Sequence, residues 1–124
     1  MSKGLKMAVV GSRVFDDEEL LRITLDGYYP YISHIITGGA RGADELAAKY
    51  AHEEGIPLII FKAQWNKFGK VAGFMRNALI VDAADEIVAF WDGTSPGTKH
   101  TTDLARQRKK ACRVILFVPT VVES

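Results

Sequence analysis

Thr37-Gly38-Gly39-Ala40-Arg41-Gly42-Ala43-Asp44 is the stretch that decides how this chain folds. It follows the apolar run His34-Ile35-Ile36 and precedes an amphipathic run over 43–54. This order predicts a strand, a tight glycine-rich turn and the first turn of a helix. The unpaired amides of such a turn, together with the positive end of the helix dipole, suit a phosphate or another anion. The alternative is an ordinary strand-to-helix turn whose glycines only keep it tight.

A second turn of similar composition, Asp92-Gly93-Thr94-Ser95-Pro96-Gly97-Thr98, follows the apolar run 86–91 and precedes the last helix. Neither turn matches the P-loop or the dinucleotide-binding GxGxxG pattern. Two such turns in one chain nevertheless favour the anion-binding interpretation. Glycines allow positive φ and a close approach of the backbone to an anion, and Arg41 adds a fork of charged donors.

The composition predicts one globular domain over 1–124. Of the 124 residues, 48% are apolar and 25% are charged, and the net charge is +1. This balance gives no electrostatic footprint for a membrane and argues against nucleic acid as a partner. Cys112 is the only cysteine, so we expect neither a disulfide framework nor a metal site. We find no signal peptide and no apolar run near ~20 residues, and we expect a cytoplasmic protein.

Apolar strands and amphipathic helices alternate along the chain. We predict five strands, over 6–10, 34–36, 58–61, 86–91 and 113–118. We predict four helices: one that begins after an N-cap at Asp16, one over 43–54, one over 70–83 and one that begins after residue 98. The alternation indicates an α/β fold, a Rossmann-like three-layer sandwich whose parallel five-stranded sheet has the order 3-2-1-4-5 with helices on both faces. Ligands of such sheets lie beyond the carboxyl ends of the strands, between strands one and four.

Three polar turns, after strands one, two and four, open at that crevice, and Arg76 and Asn77 join them from an otherwise apolar helix. A buried Arg76 needs a partner, either a carboxylate such as Asp82 or Asp85 or a bound anion, and we favour the anion. The predicted ligand contacts are Gly11, Ser12, Arg13, Gly38, Gly39, Ala40, Arg41, Gly42, Asp44, Arg76, Asn77, Gly97, Thr98, Lys99 and His100.

Lys99 and His100 belong to this set because cations in the first turn of a helix oppose its dipole, and a bound anion removes that conflict. Phe15 and Trp65 are candidates to stack on a base, with a place in the core as the alternative for Trp65. For acid–base chemistry the well-placed carboxylates are those of Asp44, Asp92 and Asp103.

Four motifs in chain order resemble those of the SLOG superfamily of Rossmann-like domains. They are Val10-Gly11-Ser12-Arg13, the stretch from Ile36 to Asp44, Arg76-Asn77 and Ser95-Pro96-Gly97-Thr98. That superfamily unites DNA-processing proteins of the Smf/DprA type with the LOG phosphoribohydrolases. The chain is most similar to the stand-alone branch related to YspA and YpsA. The resemblance implies a pocket for a nucleotide or a derivative of ADP-ribose or NAD, above the carboxyl ends of the strands.

The resemblance also implies two other functions. LOG enzymes cleave the N-glycosidic bond of a nucleoside 5′-monophosphate with an arginine and a glutamate. Arg76 matches that arginine, but Thr101 occupies the position of the glutamate and cannot serve as an acid or base at neutral pH. The catalytic candidates are therefore Arg76, Asp44 and Asp103. DprA-type proteins bind single-stranded DNA, which favours a basic groove with stacking aromatics, and the near-neutral charge argues against that function.

Our leading hypothesis is a cytoplasmic domain that binds or senses a phosphorylated nucleotide-type small molecule and needs no cofactor. The first alternative is LOG-like hydrolysis, and the second is DprA-like binding of single-stranded DNA. Relatives with this fold self-associate through their helical faces, so we expect a homodimer or a larger homo-oligomer.

Overall fold

The computed structural model describes residues 4–120, in which parallel strands and α-helices alternate. The strands are β1 (Leu5–Gly11), β2 (Ile32–Thr37), β3 (Leu58–Ile60), β4 (Glu86–Trp91) and β5 (Ala111–Leu116). The helices are α1 (Glu18–Asp26), α2 (Ala43–Glu54), the short α3 (Trp65–Phe68), α4 (Ala72–Ala83) and α5 (Pro96–Gln107). Single 3₁₀ turns cover Tyr29–Tyr31 and Gly69–Val71. The strand order β3-β2-β1-β4-β5, with every pair parallel, confirms the predicted sheet and the Rossmann-like fold.

Each face of the sheet is covered by its own pair of helices, because successive side chains of a strand point to opposite faces. Met7 and Val9 of β1 pack in one core with side chains of α1 and α2. Ala8 and Val10 pack in a second core with side chains of α4 and α5. The sheet therefore lies in the middle of the predicted three-layer sandwich.

Helix α2 has the bounds that its sequence predicts. Its buried face carries Ala43, Ala47, Tyr50 and Ala51 at helical spacing. It ends at Gly55, whose φ of +68° belongs to the left-handed region and whose amide donates to the last carbonyls of the helix. The start of this helix, beside the glycine-rich turn, is thus fixed by local sequence.

The first helix begins one residue later than predicted. The N-cap is Asp17 rather than Asp16, and Asp17 Oδ1 accepts from the Leu20 amide at 3.0 Å. Both residues are aspartates, so the sequence pattern cannot separate them, and the cap geometry decides.

The two edge strands also differ from expectation. Strand β3 ends one residue before the predicted 58–61, and Leu58 and Ile60 are 37% and 41% exposed because β3 lies at the edge of the sheet, beyond β2. Strand β5 starts and ends two residues before the predicted 113–118. Between β3 and the predicted helix over 70–83, the structure has the additional short helix α3.

Helix α4 leaves apolar side chains on its outer face, where Phe74, Met75 and Leu79 are all more than two-fifths exposed. The homo-oligomer that we expect stays a prediction. No helix within residues 4–120 combines the length and the apolar character needed to cross a membrane.

Candidate functional site

Three turns meet at the carboxyl ends of the central strands. Gly11 pairs with Phe90 in the parallel register of β1 and β4, and the Ser12 amide donates to the Phe90 carbonyl at 2.9 Å. The Ser12 carbonyl accepts from the amide of Ala43, the first residue of α2, at 3.3 Å. The turns after β1, β2 and β4 therefore surround one crevice at the switch point of the sheet.

This crevice contains two adjoining clefts of about 390 Å³ each. The first cleft lies between β1, β4, α4 and α5, and is lined by Val10, Gly11, Ser12, Arg13, Val14, Ala40, Asp44, Arg76, Asn77, Ile80, Asp92, Ser95, Pro96, Gly97, Thr98 and Thr101. The second cleft extends toward β3, and is lined by Arg13, Gly38, Gly39, Ala40, Arg41, Lys62, Ala63, Trp65 and Arg76. Arg13, Ala40 and Arg76 line both, so the clefts share a boundary.

The glycine-rich turn is closed by its own aspartate. Asp44 is 5% exposed, and its Oδ2 accepts from the amides of Gly38 at 3.0 Å and Ala40 at 3.2 Å. The Gly39 amide donates to Thr37 Oγ1 at 3.4 Å. These amides, which we assigned from the sequence to a bound phosphate, already have acceptors. The first turn of α2 places a carboxylate where we expected the anion.

Burial raises the pKa of the Asp44 carboxyl from its usual 3.8 to about 6, although the Ala40 amide and the nearby charge of Arg76 both lower it. A carboxyl group that exchanges its proton in mildly acidic solution is a feature of many functional sites. Here Oδ2 holds the turn together, so protonation of Asp44 and the conformation of the turn are coupled.

Gly42 lets the turns after β1 and β2 touch. Its φ is +76°, and a Cβ at this position would lie 2.6 Å from the Arg13 carbonyl oxygen. The glycine is therefore required by contact between backbones, and Gly42 lines neither cleft.

Arg76 reaches from α4 to the glycine-rich turn. Its Nη1 donates to the Gly38 carbonyl at 2.7 Å, and its Nε donates to Asn77 Oδ1 at 3.0 Å. The carboxylates that we considered as partners are engaged elsewhere: Asp82 pairs with Arg108, and Asp85 accepts from the Lys6 amide. Burial lowers the pKa of Arg76, and the Asp44 carboxylate opposes that effect.

Asn77 connects Arg76 to α5. It is 7% exposed, and its Nδ2 lies 3.3 Å from the Gly97 carbonyl and 3.2 Å from His100 Nδ1. His100 also packs edge-on against Phe74, with ring centroids 4.5 Å apart. His100 thus contacts Asn77 of the site but lines neither cleft.

The turn after β4 is ordered by Asp92. Its Oδ1 accepts from the amides of Thr94 at 3.0 Å and Ser95 at 2.8 Å, and its Oδ2 accepts from Ser95 Oγ at 2.9 Å. Burial raises the pKa of Asp92, but the amides of Ser95 and Thr94 outweigh it and lower the pKa to about 2. Asp92 is therefore an ionised structural group at neutral pH, held also through Ser12, whose Oγ lies 2.9 Å from Ser95 Oγ.

The N-terminus of α5 opens into the first cleft. Pro96 fits the first turn because it has no amide to satisfy. A Cβ at Gly97 would meet no atom within 4 Å, so the backbone there is accessible. Thr98 is 6% exposed and lines the cleft. The first amides of a helix have no acceptor within the helix, so this end is suited to an anion.

The second cleft differs from the first in charge. The first cleft is lined by Arg13 and Arg76 together with the carboxylates of Asp44 and Asp92. The described residues that line the second cleft contribute three arginines and Lys62 but no carboxylate. None of these four cations takes part in a salt bridge within residues 4–120.

Several predicted residues lie away from both clefts. Phe15 is 2% exposed and stacks on Phe90 in the core, with ring centroids 4.6 Å apart, so it is not available to a base. Lys99 pairs with Asp103 at 2.9 Å on the outer surface of α5, which also removes its conflict with the helix dipole. Asp103 therefore lies outside the site. No group of three or more His, Cys, Asp or Glu side chains in the described part of the chain is arranged to hold a metal ion.

Lys62 was missed at the sequence level. It follows β3, whose carboxyl end lies at the same edge of the sheet as those of β1 and β2. Its position after a parallel strand is therefore the signal in the sequence that indicates a place at the crevice. Trp65, by contrast, is 50% exposed and lines the second cleft.

The fold is shared with a solved structure of DNA processing protein A from Helicobacter pylori, a protein described as binding single-stranded DNA. The two align with a TM-score of 0.65 at 21% sequence identity, over 90% of this chain and 65% of that protein. This chain therefore spans about two-thirds of its structural neighbour.

This neighbour corrects our expectation about nucleic acid. We argued against nucleic acid from the net charge of +1, but a protein of the same fold binds single-stranded DNA. A net charge does not report how charges are distributed, and four cations gather in the second cleft.

Sequence relatives establish the family. The Gene 61 protein of Mycobacterium phage D29 is 38% identical, over 77% of this chain and 83% of that protein. A family model described as the YspA, cpYpsA-related SLOG family matches residues 5–68, which include β1, β2, the glycine-rich turn and α2. The predicted resemblance is thus confirmed, and the chain belongs to the YspA, cpYpsA-related SLOG family.

Proposed function

We propose that this chain binds a phosphorylated nucleotide-type ligand, with its phosphate in the first cleft at the N-terminus of α5. The observation that carries the proposal is the position of that helix end in the same cleft as Arg13 and Arg76, neither of which has a salt-bridge partner within residues 4–120. Helix amides and guanidinium groups are the donors that phosphate sites combine.

Each donor has a distinct part in this proposal. The amides of Gly97 and Thr98 bind phosphate oxygens, and the α5 dipole favours the negative charge. Arg13 is exposed and free to fold over the ligand, whereas Arg76 is fixed by its bond to the Gly38 carbonyl. The glycine-rich turn acts indirectly, because Asp44 closes it and Arg76 is held against it.

The geometry supports binding over N-glycosidic hydrolysis. Thr101, at the position of the LOG glutamate, is 2% exposed and donates to the Gly97 carbonyl at 3.1 Å. Asp44 lines the cleft, but its Oδ2 is engaged by two amides. Thr101 therefore has no acidic proton for a departing base, and Asp44 is committed through Oδ2 to the glycine-rich turn.

Binding of single-stranded DNA is the second candidate. It is favoured by the position of Arg13 and Arg76 at the boundary between the two adjoining clefts, where they could contact successive phosphates of one backbone. The fold neighbour from Helicobacter pylori is described as a single-stranded DNA binder.

Titration calorimetry with AMP tests the proposed function. We expect saturable binding that Arg13→Ala weakens by about 10-fold or more, because hydrogen bonds to charged groups contribute roughly 1.5–3 kcal/mol. Arg106→Ala is the matched control, since Arg106 is exposed on α5 and lines neither cleft. Absence of binding, or equal affinity in both variants, contradicts the proposal. Chromatography of the same mixtures detects free adenine, whose release would favour the hydrolase.

A further inference from the structure

We propose that the second cleft is a subsite for a second nucleotide unit, so that the ligand carries at least two phosphate-linked nucleotides. This inference rests on the proposed function of the first cleft and goes beyond it by naming the size and chemistry of the ligand. The evidence for it is the set of cationic side chains and the Trp65 ring that line the second cleft.

The cations show what the subsite attracts. Arg41 and Lys62 are exposed, line only the second cleft, and have no salt bridge in the described part of the chain. With Arg13 and Arg76 at the boundary between the clefts, four positive side chains surround a space that no described carboxylate lines. A single phosphate bound at α5 would not neutralise Arg41 and Lys62, because they line only the second cleft. A second phosphate in that cleft would provide their counter-charge.

Trp65 indicates that the second phosphate is accompanied by a nucleobase. Helix α3 holds its indole against α4 at Gly73, where a Cβ would lie only 3.1 Å from Cη2 of the ring. The missing side chain of Gly73 thus makes room for the six-membered ring of the indole. Trp65 remains 50% exposed at the edge of the second cleft. A half-exposed aromatic ring fixed by packing beside cations is the arrangement on which nucleic-acid bases stack.

The shared boundary sets the geometry of the ligand. Arg13, Ala40 and Arg76 line both clefts, so a ligand that occupies both lies across these three residues. The first nucleotide places its phosphate at α5, and the second places its phosphate near Arg41 and Lys62 and its base on Trp65. A free dinucleotide and the 5′ end of a single strand present this same chemistry.

Calorimetry with AMP, the 5′-phosphorylated dinucleotide pdApdA and a 5′-phosphorylated ten-residue oligo(dA) tests the inference. We expect pdApdA to bind about 5- to 150-fold more tightly than AMP, the gain that stacking of one base provides. Trp65→Ala should lower the affinity for pdApdA toward that for AMP. A further gain with the decamer identifies a strand as the ligand, and equal affinity for decamer and dinucleotide identifies a free dinucleotide; both outcomes support the second subsite.

Two matched variants separate the subsite from its surroundings. Phe68→Ala removes another exposed aromatic of α3, and Lys67→Ala removes a lysine whose Nζ lies 5.1 Å from the Phe68 ring centroid; neither residue lines a cleft. We expect both to retain the gain, whereas Lys62→Ala reduces it. If AMP binds but pdApdA binds no more tightly, or if the gain survives Trp65→Ala, the second subsite is wrong while the proposed function stands. If neither compound binds, both fail.

Discussion

Oδ2 of Asp44 lies 3.0 Å from the amide nitrogen of Gly38, six residues earlier, and closes the glycine-rich turn on itself. This contact places the protein's own carboxylate at the position where the sequence pattern suggests a bound anion. It also buries the carboxylate, because only 5% of Asp44 is exposed. The stability of the fold should therefore depend on the protonation of this one group.

We predict that Asp44→Asn alters the pH dependence of folding. The pKa of Asp44 is raised by burial from 3.8 to about 6, so its contribution to stability is fully present below about pH 4 and is lost as the pH rises through 6. Wild type should lose about 3 kcal/mol between these limits through this group, and the variant should not. Urea unfolding at intervals from pH 4 to pH 7 measures the difference.

Asp103→Asn is the matched control for that experiment. The bond from Lys99 lowers the pKa of Asp103, so its contribution is lost as the pH falls, the opposite direction. Asp103 is partly exposed on the surface of α5, and its effect should be small. A wild-type profile that runs parallel to that of Asp44→Asn across this range would contradict the assignment.

We predict that Arg76→Met loosens the glycine-rich turn. It removes the 2.7 Å hydrogen bond to the Gly38 carbonyl while keeping most of the aliphatic stem. The free energy of unfolding should fall by about 1–3 kcal/mol. Without the guanidinium charge the pKa of Asp44 rises further, so the pH-dependent loss of stability should extend above pH 6.

Arg108→Met tests whether this effect belongs to Arg76. Arg108 also contacts α4, through Asp82 and the Ala78 carbonyl, but lines neither cleft. Arg108→Met should therefore show the same pH dependence of the free energy of unfolding as the wild type. An equal displacement in both variants would show that general loosening of α4 is responsible.

The fold could be predicted because each of its determinants is local. Apolar periodicity gave both bounds of α2, and the regular alternation of strands and helices with right-handed crossovers gave the strand order. The meeting of the turns after β1, β2 and β4 follows from that order alone. A parallel sheet brings the carboxyl ends of its strands to one edge whatever the side chains are.

Side-chain direction is the part that the sequence left open. Nothing local distinguishes an Asp44 that faces a ligand from one that turns back to cap its own loop. Phe15 and Trp65 both follow strands, yet Phe15 packs into the core and Trp65 lies on the surface. Lys62 was overlooked because its strand is short and at the edge. These differences depend on packing between distant segments.

We predict that the two stacking candidates behave in opposite ways when truncated. Phe15→Ala should lower the free energy of unfolding by about 3–5 kcal/mol, since it removes a ring packed against Phe90 and Phe117. Trp65→Ala should cost far less, because half of its surface is already exposed. Urea unfolding of both variants measures this contrast, and similar losses would show that Trp65 belongs to the core.

The last prediction concerns two glycines that both have positive φ but differ in ψ and in surroundings. Gly55→Ala should cost about 1 kcal/mol, since φ is +68° but a Cβ there meets no atom within 4 Å. Gly42→Ala adds a clash to a larger strain. Its φ of +76° with a ψ of −125° lies outside the left-handed region, and its Cβ would lie 2.6 Å from the Arg13 carbonyl oxygen. Urea unfolding should show a loss at least 1 kcal/mol larger for Gly42→Ala, as the turns after β1 and β2 are forced apart. AMP affinity should fall only in that variant, since Arg13 moves with its turn. Equal losses of stability would mean that the turns separate without cost.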